Sequence, residues 1–468
     1  MRDKEEEREN GWKVCEREEG AKRPGGGHRE HVNTVRKICA FLSAFIFAFL
    51  FAAIPVSAHI PFYAHSNQAE STDSHQFTLQ IYGNANEDDT VDMRDVTYIK
   101  LVIFGKKPET ALCDANYDGR VSMLDVVQTK LIIVGKEGEL TIIDSANRTV
   151  TVRKPIKRVV CCFPHVLEAL RTLNVPKEII VGIAKDKIDT AYFPEIEDIP
   201  SVGWRWTPDI EAIIELEPDV VFYTAHTLMG APETLDKMES AGLTVLCFNL
   251  NELDRIDDEI TMLGYIFNRK EEAKEFVEWR DGILNAIKER VEGLPEESKP
   301  KVYFEAAFKG NYYYIYGKYA YIAEAGGKDI FDDLPGSYMS IDPEEVVKQN
   351  PDIIVKVAPW YVGGYGVDAT DITPLKEIQE EVLSRPELQG VKAVKDGKVY
   401  EISNHLVSMF PSSGCRNFIQ VAYMAKWFHP DLFKDLDPKA IHQEYLTRFQ
   451  GLDIDLDEKG VFVYPEPS

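Results

Sequence analysis

Between residues 84 and 135 one set of oxygen-bearing side chains occurs twice at the same spacing, and the chemistry it suits is chelation of a hard cation. NANEDDTVDMRDVTYIKLVIFGK returns thirty positions later as DANYDGRVSMLDVVQTKLIIVGK, so Asn84, Asn86, Asp88, Asp92 and Asp95 recur as Asp114, Asn116, Asp118, Ser122 and Asp125. Counted from the start of each loop these are positions 1, 3, 5, 9 and 12, from which calcium loops present oxygen; the backbone carbonyl of position 7 (Thr90, Arg120) completes the shell. The pattern therefore predicts two calcium ions. Position 6, where the chain must turn sharply, is Gly119 in the second loop and Asp89 in the first. A residue with a Cβ tolerates a positive φ less well, so the first site is expected to be weaker or more strained. Behind each loop an apolar run, closed by Gly105 or Gly135, predicts a helix. Two such units in phase argue against an accidental acidic turn.

Both loops end in Asp where a sensor loop ends in a bidentate Glu, and HQFTLQIYG ahead of Asn84 reads as extended instead of helical. Paired loop-plus-one-helix units of this kind resemble the dockerin domain, over residues 78–138. The resemblance implies a small α-helical module that docks to a cohesin domain on a scaffold or surface protein. In dockerins, loop positions 10 and 11 help to choose the partner; here they are Met93–Arg94 and Met123–Leu124.

From Leu140 the pattern changes to short β runs alternating with helical stretches. LTIIDSANRTVTVRK reads as a hairpin, and strands are expected at 158–162, 179–184, 219–225 and 244–250, then at 301–308, 352–358 and 398–403. Such alternation predicts an α/β fold with mainly parallel sheets. The proline-free stretch 254–293 between the two series predicts one long bridging helix, dividing the rest into lobes at 140–253 and 300–455. Ligands of open α/β sheets bind where loops leave the carboxyl ends of strands. That rule selects His165, Trp204, Arg205, Trp206, Tyr223 and His226 in the first lobe, and Lys309, Tyr312, Trp360, His405 and Arg416 in the second. Aromatic walls with a few cations suit a bulky, partly anionic metal chelate, since rings supply contact area and cations pair with carboxylate or catecholate oxygens.

Two Rossmann-like lobes on one helix, with the phrases RTVTVRKPIKRVV, VGWRWTPDIEAIIELEPDVVFY, AEAGGKDIF, SIDPEEVVKQNPDIIV and VKAVKDGKVYEISN in this order, resemble the class III periplasmic binding proteins. These serve iron–siderophore, haem and cobalamin ABC importers. The likeness covers residues 140–450 and implies a stiff binding protein that hands a metal chelate to an ABC permease. By the same likeness the aromatics before PDIE, Trp204 and Trp206, face the ligand. Glu211 in PDIEAI and Glu344 in DPEEVV then correspond to one permease-docking carboxylate per lobe.

The 468 residues allow two or three domains, and 44% hydrophobic with 11% aromatic residues allow a large core. A net charge of −25 excludes nucleic acid as a partner, because a polyanion would be repelled. Residues 1–58 read as a polar extension and a signal peptide, whose apolar run 38–54 follows Arg36–Lys37 and precedes a cleavage point after Ala58. Retained, the run would be a membrane anchor; cleaved, it leaves a secreted or cell-surface chain. A translation start near Val32 or Val35 would give a compact basic leader. No lipobox cysteine follows the run. The cysteines left after cleavage are odd in number, against a full disulfide framework. HExxH, GxSxG, GxxxxGK and CxxC are all absent, so an enzyme is not expected. The rival reading is a dockerin-bearing component of a polysaccharide-degrading surface complex, which would need two carboxylates across a sugar cleft.

Overall fold

In the computed structural model the described residues are 77–185, 189–225, 231–306, 312–336, 338–359, 362–407 and 414–467. The apolar run 38–54 and the expected cleavage point lie outside them. Residues Asp73–Ser468 form one compact unit.

Helix α1 (Met93–Ile103) starts where it does because the Asp92 carboxylate accepts from the Arg94 N–H, while Asp95 reaches back to the Asp92 N–H. Helix α2 (Met123–Val134) repeats that capping box with Ser122 and Asp125, and stops at Gly135, whose φ of 65° needs no Cβ. Loop positions 9 and 12 thus also set the helix starts. The helices close on each other over Ala85, Val96, Ile99, Cys113 and Val126. Their inner side continues into the next domain: Leu79, Ile81, Val91 and Ile132 share one apolar cluster with Leu140, Ile142 and Val152. Ile81 also forms an antiparallel bridge to Ile142.

After the hairpin β1 (Glu139–Ile143) and β2 (Thr149–Arg153), the first lobe is built on β3 (Val159–Cys161), β4 (Ile180–Ile183), β5 (Val220–Tyr223) and β6 (Val245–Cys247), with helices α3 (Pro164–Thr172), α4 (Ile210–Glu215) and α5 (Ala231–Ser240) between them. They pair in the order β4-β3-β5-β6, all parallel. Near-continuous burial of these Val, Ile, Phe and Cys residues is what a sheet covered on both faces requires. The second lobe orders Lys328–Asp329, Lys301–Glu305, Ile353–Ala358 and Val399–Ser403 in parallel, with Val463–Tyr464 antiparallel at the edge. Cys113, Cys161, Cys162, Cys247 and Cys415 are all buried free thiols.

The stretch predicted as a single bridging helix is two helices, α6 (Ile256–Ile266) and α7 (Lys270–Val291). The elbow is local in origin. Asn268 takes a φ of 56°, and the Arg269 N–H returns to the Gly264 carbonyl at 2.7 Å. A Cβ on Gly264 would meet the Ala273 Cβ at 2.7 Å, so only glycine lets the last turn of α6 lie against the first turn of α7.

A row of charge crosses the second sheet. Lys356 stands in register between Glu305 and Glu401 on the neighbouring strands. Its Nζ donates to Glu305 at 2.6 Å, and Arg385 grips the same carboxylate with two bonds of 2.6 and 2.9 Å. Burial alone would raise the Glu305 carboxyl, but these two cations hold it below the usual range. Glu401 is fully buried with neither oxygen hydrogen-bonded, and burial holds its carboxyl well above the usual range.

Candidate functional site

The two acidic loops adopt the same internal bonding. The position 5 carboxylate accepts from the position 7 N–H, at 3.1 Å for Asp88 and Thr90 and 3.2 Å for Asp118 and Arg120. The position 3 oxygen accepts from the position 5 N–H at 3.3 Å in both loops (Asn86 from Asp88, Asn116 from Asp118). Position 12 accepts from the N–H groups of positions 3 and 9: Asp95 from Asn86 and Asp92, Asp125 from Asn116 and Ser122. Burial pushes the Asp95 carboxyl up to about 6 and raises that of Asp125.

The loops part at position 1. Asp114 accepts from the Gly119 N–H at 2.8 Å, which the φ of 89° at Gly119 permits. In the first loop Asn84 is fully buried, its Nδ2 donates to the Leu79 and Asp88 carbonyls, and its Oδ1 has no hydrogen-bond partner. Asp89 is not among the residues with positive φ, so the strain expected there is absent. A different feature distinguishes this loop: the Arg94 guanidinium pairs with Asp88 and Asp92, both at 2.9 Å. Leu124 stands at the same place in the second loop and supplies no charge.

The residues selected at strand ends lie in different surroundings. Trp204 and Tyr312 are exposed, 45% and 62%, so both offer a ring face to solvent. Trp206 is half-buried, packing edge-on against Phe163 at 5.2 Å. His165 is buried beside the same Phe163 ring at 5.6 Å, and Arg205 is buried next to the exposed Trp204. A second group is committed to the interior. Tyr223 has no exposure and its hydroxyl donates to the Trp206 carbonyl at 3.0 Å, which makes it a core residue that shapes the tryptophan turn. Arg416 is 1% exposed; its guanidinium donates to the His405 carbonyl at 2.6 Å, lies 3.3 Å from Glu168 and covers the Tyr192 ring at 3.9 Å. Burial opposes its charge most strongly, but Glu168, Tyr192 and Tyr445 together outweigh it and raise the guanidinium further. Both side chains are thus engaged by buried partners within the chain, the Trp206 carbonyl for Tyr223 and the Glu168 carboxylate for Arg416. His226, Lys309 and Trp360 lie outside the described residues.

His405 is reached from the other lobe by a residue the strand-end reading passed over. Asp189, in the loop after β4, lies 3.2 Å from His405 Nδ1. Burial would raise the Asp189 carboxyl, but His405 holds it below the usual range. Applying the strand-end rule to β4, as to β3, would have found it. Glu168 on helix α3 (Pro164–Thr172) was also missed. Its carboxylate accepts from the Gly414 N–H at 2.9 Å, the Arg416 N–H at 3.3 Å and the Tyr445 hydroxyl at 2.5 Å. First-lobe and second-lobe segments are therefore tied at a buried carboxylate behind the Asp189–His405 pair. An open hollow of about 550 Å³ along α7, lined by Glu271, Lys274, Glu275, Glu278, Trp279 and Arg448, includes none of the selected ligand residues.

Glu211 and Glu344 occupy matching places. Glu211 lies in the first turn of helix α4 (Ile210–Glu215), capped by Asp209; Glu344 lies in the first turn of Pro343–Gln349, capped by Asp342. Each helix leads into the strand paired beside the first strand of its sheet, Val220–Tyr223 next to β3 and Ile353–Ala358 next to Lys301–Glu305. Both glutamates are exposed. Among the described residues no helix is long and apolar enough to cross a membrane.

Comparison with known proteins agrees with this architecture. The Bacillus subtilis protein YvrC, named as an uncharacterized ABC transporter substrate-binding lipoprotein, is 26% identical over 300 residues, 63% of this chain and 87% of that one. IsdE of Staphylococcus aureus, named as a high-affinity heme uptake system protein, is 27% identical over 244 residues, 49% of this chain and 78% of that one. The crystal structure of the TroA-like periplasmic binding protein FepB from Veillonella parvula superposes with a TM-score of 0.56 at 26% identity. That match covers 69% of this chain and 98% of the other. A family model described as periplasmic binding protein matches residues 159–406, more than half of the sequence and running from β3 through both spine helices to His405; the chain belongs to the periplasmic binding protein family.

Proposed function

We propose that this chain is an extracytoplasmic solute-binding protein that captures a metal chelate and delivers it to an ABC importer, while its paired loops hold calcium and dock to a cohesin-bearing partner. The observation that carries the transport reading is the family match across both lobes and the spine, joined with relatives named for ABC transport and heme uptake. Exposed Trp204 and Tyr312, with the Asp189–His405 pair facing across the lobes, suit a bulky guest with aromatic and anionic parts. An iron–siderophore complex is the leading ligand, with haem and cobalamin the other members of the class. Glu211 and Glu344 are the charges offered to the permease. The purified chain incubated with ferric siderophore, haemin or cobalamin should retain one of them through gel filtration, read by its visible absorbance and by native mass. Retention of none, together with release of reducing sugar from polysaccharide, would reject the transport reading.

The donor set fits calcium: two loops carry oxygen-bearing side chains at the ligand spacing, and the buried, unpartnered Oδ1 of Asn84 is an acceptor in need of a cation. Asn84, Asn86, Asp88, Asp92, Asp95 and the Thr90 carbonyl would hold one ion; Asp114, Asn116, Asp118, Ser122, Asp125 and the Arg120 carbonyl would hold the other. The bound ions would supply positive charge to carboxylates now relieved only by N–H groups and, in the first loop, by Arg94. Calorimetry should therefore resolve a tighter and a weaker calcium site. Arg94→Leu, which makes the first loop match the second at this position, should tighten the weaker site several-fold. An unchanged weaker site would remove Arg94 from the account.

A further inference from the structure

We infer that the calcium module is a brace for the spine of the binding domain, and that Tyr265 couples the first calcium loop to the elbow between α6 and α7. The inference rests on the calcium reading above and goes beyond docking, because it makes the loop act on its own chain.

One peptide unit carries the argument. The Thr90 carbonyl is the backbone ligand expected at loop position 7, and the N–H of that same peptide, on Val91, donates to the Tyr265 hydroxyl at 2.9 Å. The Thr90 hydroxyl lies 3.1 Å from the same phenol oxygen. Tyr265 sits in the last turn of α6 and is 6% exposed; Val91 is 3% exposed. Tyr265 thus fixes the plane of the peptide whose oxygen would meet the cation. A cation held on that oxygen would polarise the amide and strengthen its N–H as a donor to Tyr265, as hydrogen bonds in chains polarise one another.

The far end of the module grips the same elbow. Lys270 Nζ donates to the Ile133 carbonyl at 2.6 Å, and Asn268 Nδ2 donates to the Gly135 carbonyl at 3.4 Å, at the end of α2. A Cβ on Gly135 would come within 3.0 Å of Asn268 Oδ1, so the two chains are in close contact there. Lys154, which pairs with Glu137, also donates to the Tyr265 carbonyl at 2.6 Å and to Asn268 Oδ1 at 2.7 Å. Residues 265–270 are therefore held from both ends of the module, and Asn268 is the left-handed residue that sets the bend. Ordering the first loop orders the elbow, and by reciprocity an ordered elbow favours calcium in the first loop.

The test uses the full chain, with calcium or with chelator, in parallel calorimetry and hydrogen–deuterium exchange of peptides from 256–291. In the wild type, calcium should slow exchange around the elbow on the order of tenfold. In Tyr265→Phe, calcium should still bind, more weakly at one site by a few-fold, and the slowing at the elbow should be lost. Thr90→Val keeps the carbonyl and the side-chain shape, and should lose part of the effect. Asp118→Ala should weaken the second calcium site and keep the part of the slowing that the first loop conveys through Tyr265. A merely structural tyrosine would change exchange equally with and without calcium. Calcium binding that leaves elbow exchange unchanged, or Tyr265→Phe behaving as wild type, overturns the coupling while leaving the calcium sites standing. No calcium binding by the wild type overturns both.

Discussion

With Glu211 and Glu344 both changed to lysine, ligand uptake through the importer is expected to fall by roughly 100-fold or more, while the purified chain binds its ligand as before. Each carboxylate is exposed at the start of a short helix that an Asp caps two residues earlier, and among the described residues neither has an ion-pair partner within the chain. Reversal therefore leaves the fold alone. At a docking surface it places like charges together at two distant points, where each costs several kcal/mol and the pair sets orientation. Each single reversal should give a partial loss. Transport assays in cells or proteoliposomes, beside ligand titration of the purified variants, check this; uptake at the wild-type rate by the double variant would rule out these residues as the docking contacts.

Lys356→Met should cost about 3–5 kcal/mol of stability in urea unfolding, the largest effect expected of a single substitution away from the binding surface. The lysine is 5% exposed and stands between two buried carboxyl groups. Its loss leaves Glu305 with Arg385 as its one cation beside the Tyr303 hydroxyl, and takes a neighbouring cation from Glu401, whose oxygens have no hydrogen-bond partner. The Glu401 carboxyl also gives a pH dependence of known sign. Because its folded pKa is raised, folding takes up a proton. The favourable contribution is full below the ordinary Glu value of about 4.3 and is lost as pH climbs toward the folded value, at most about 1.4 kcal/mol per pH unit. Glu401→Gln carries no proton to lose and should flatten that alkaline-going decline between pH 5 and 8. A decline of the same slope in the glutamine variant would assign it to other groups.

The paired loops, the strands and the helix starts depend on neighbours a few residues away, and they lie where the residue pattern puts them. Short β-branched runs such as RVVCC and DIIVKVA became strands Val159–Cys161 and Ile353–Ala358. The duplicated NANEDD and DANYDG loops bond alike because each bond spans ten residues or fewer. The caps Asp209 and Asp342 needed only the next turn to act. What the tertiary structure alone decided is where chain distant in sequence comes together. Tyr223 and Arg416 satisfied the strand-end rule yet turned inward, since a carbonyl at Trp206 and a carboxylate at Glu168 required partners once buried. The spine lost its continuity at Asn268 through an elbow that the helical periodicity of 254–293 does not reveal. Asp189 met His405, and Tyr265 met the Thr90–Val91 peptide, across separations no local pattern encodes. Sequence spacing determines which groups can share a turn of helix or a loop; only packing decides which of them remain in water, and so which are left for a ligand.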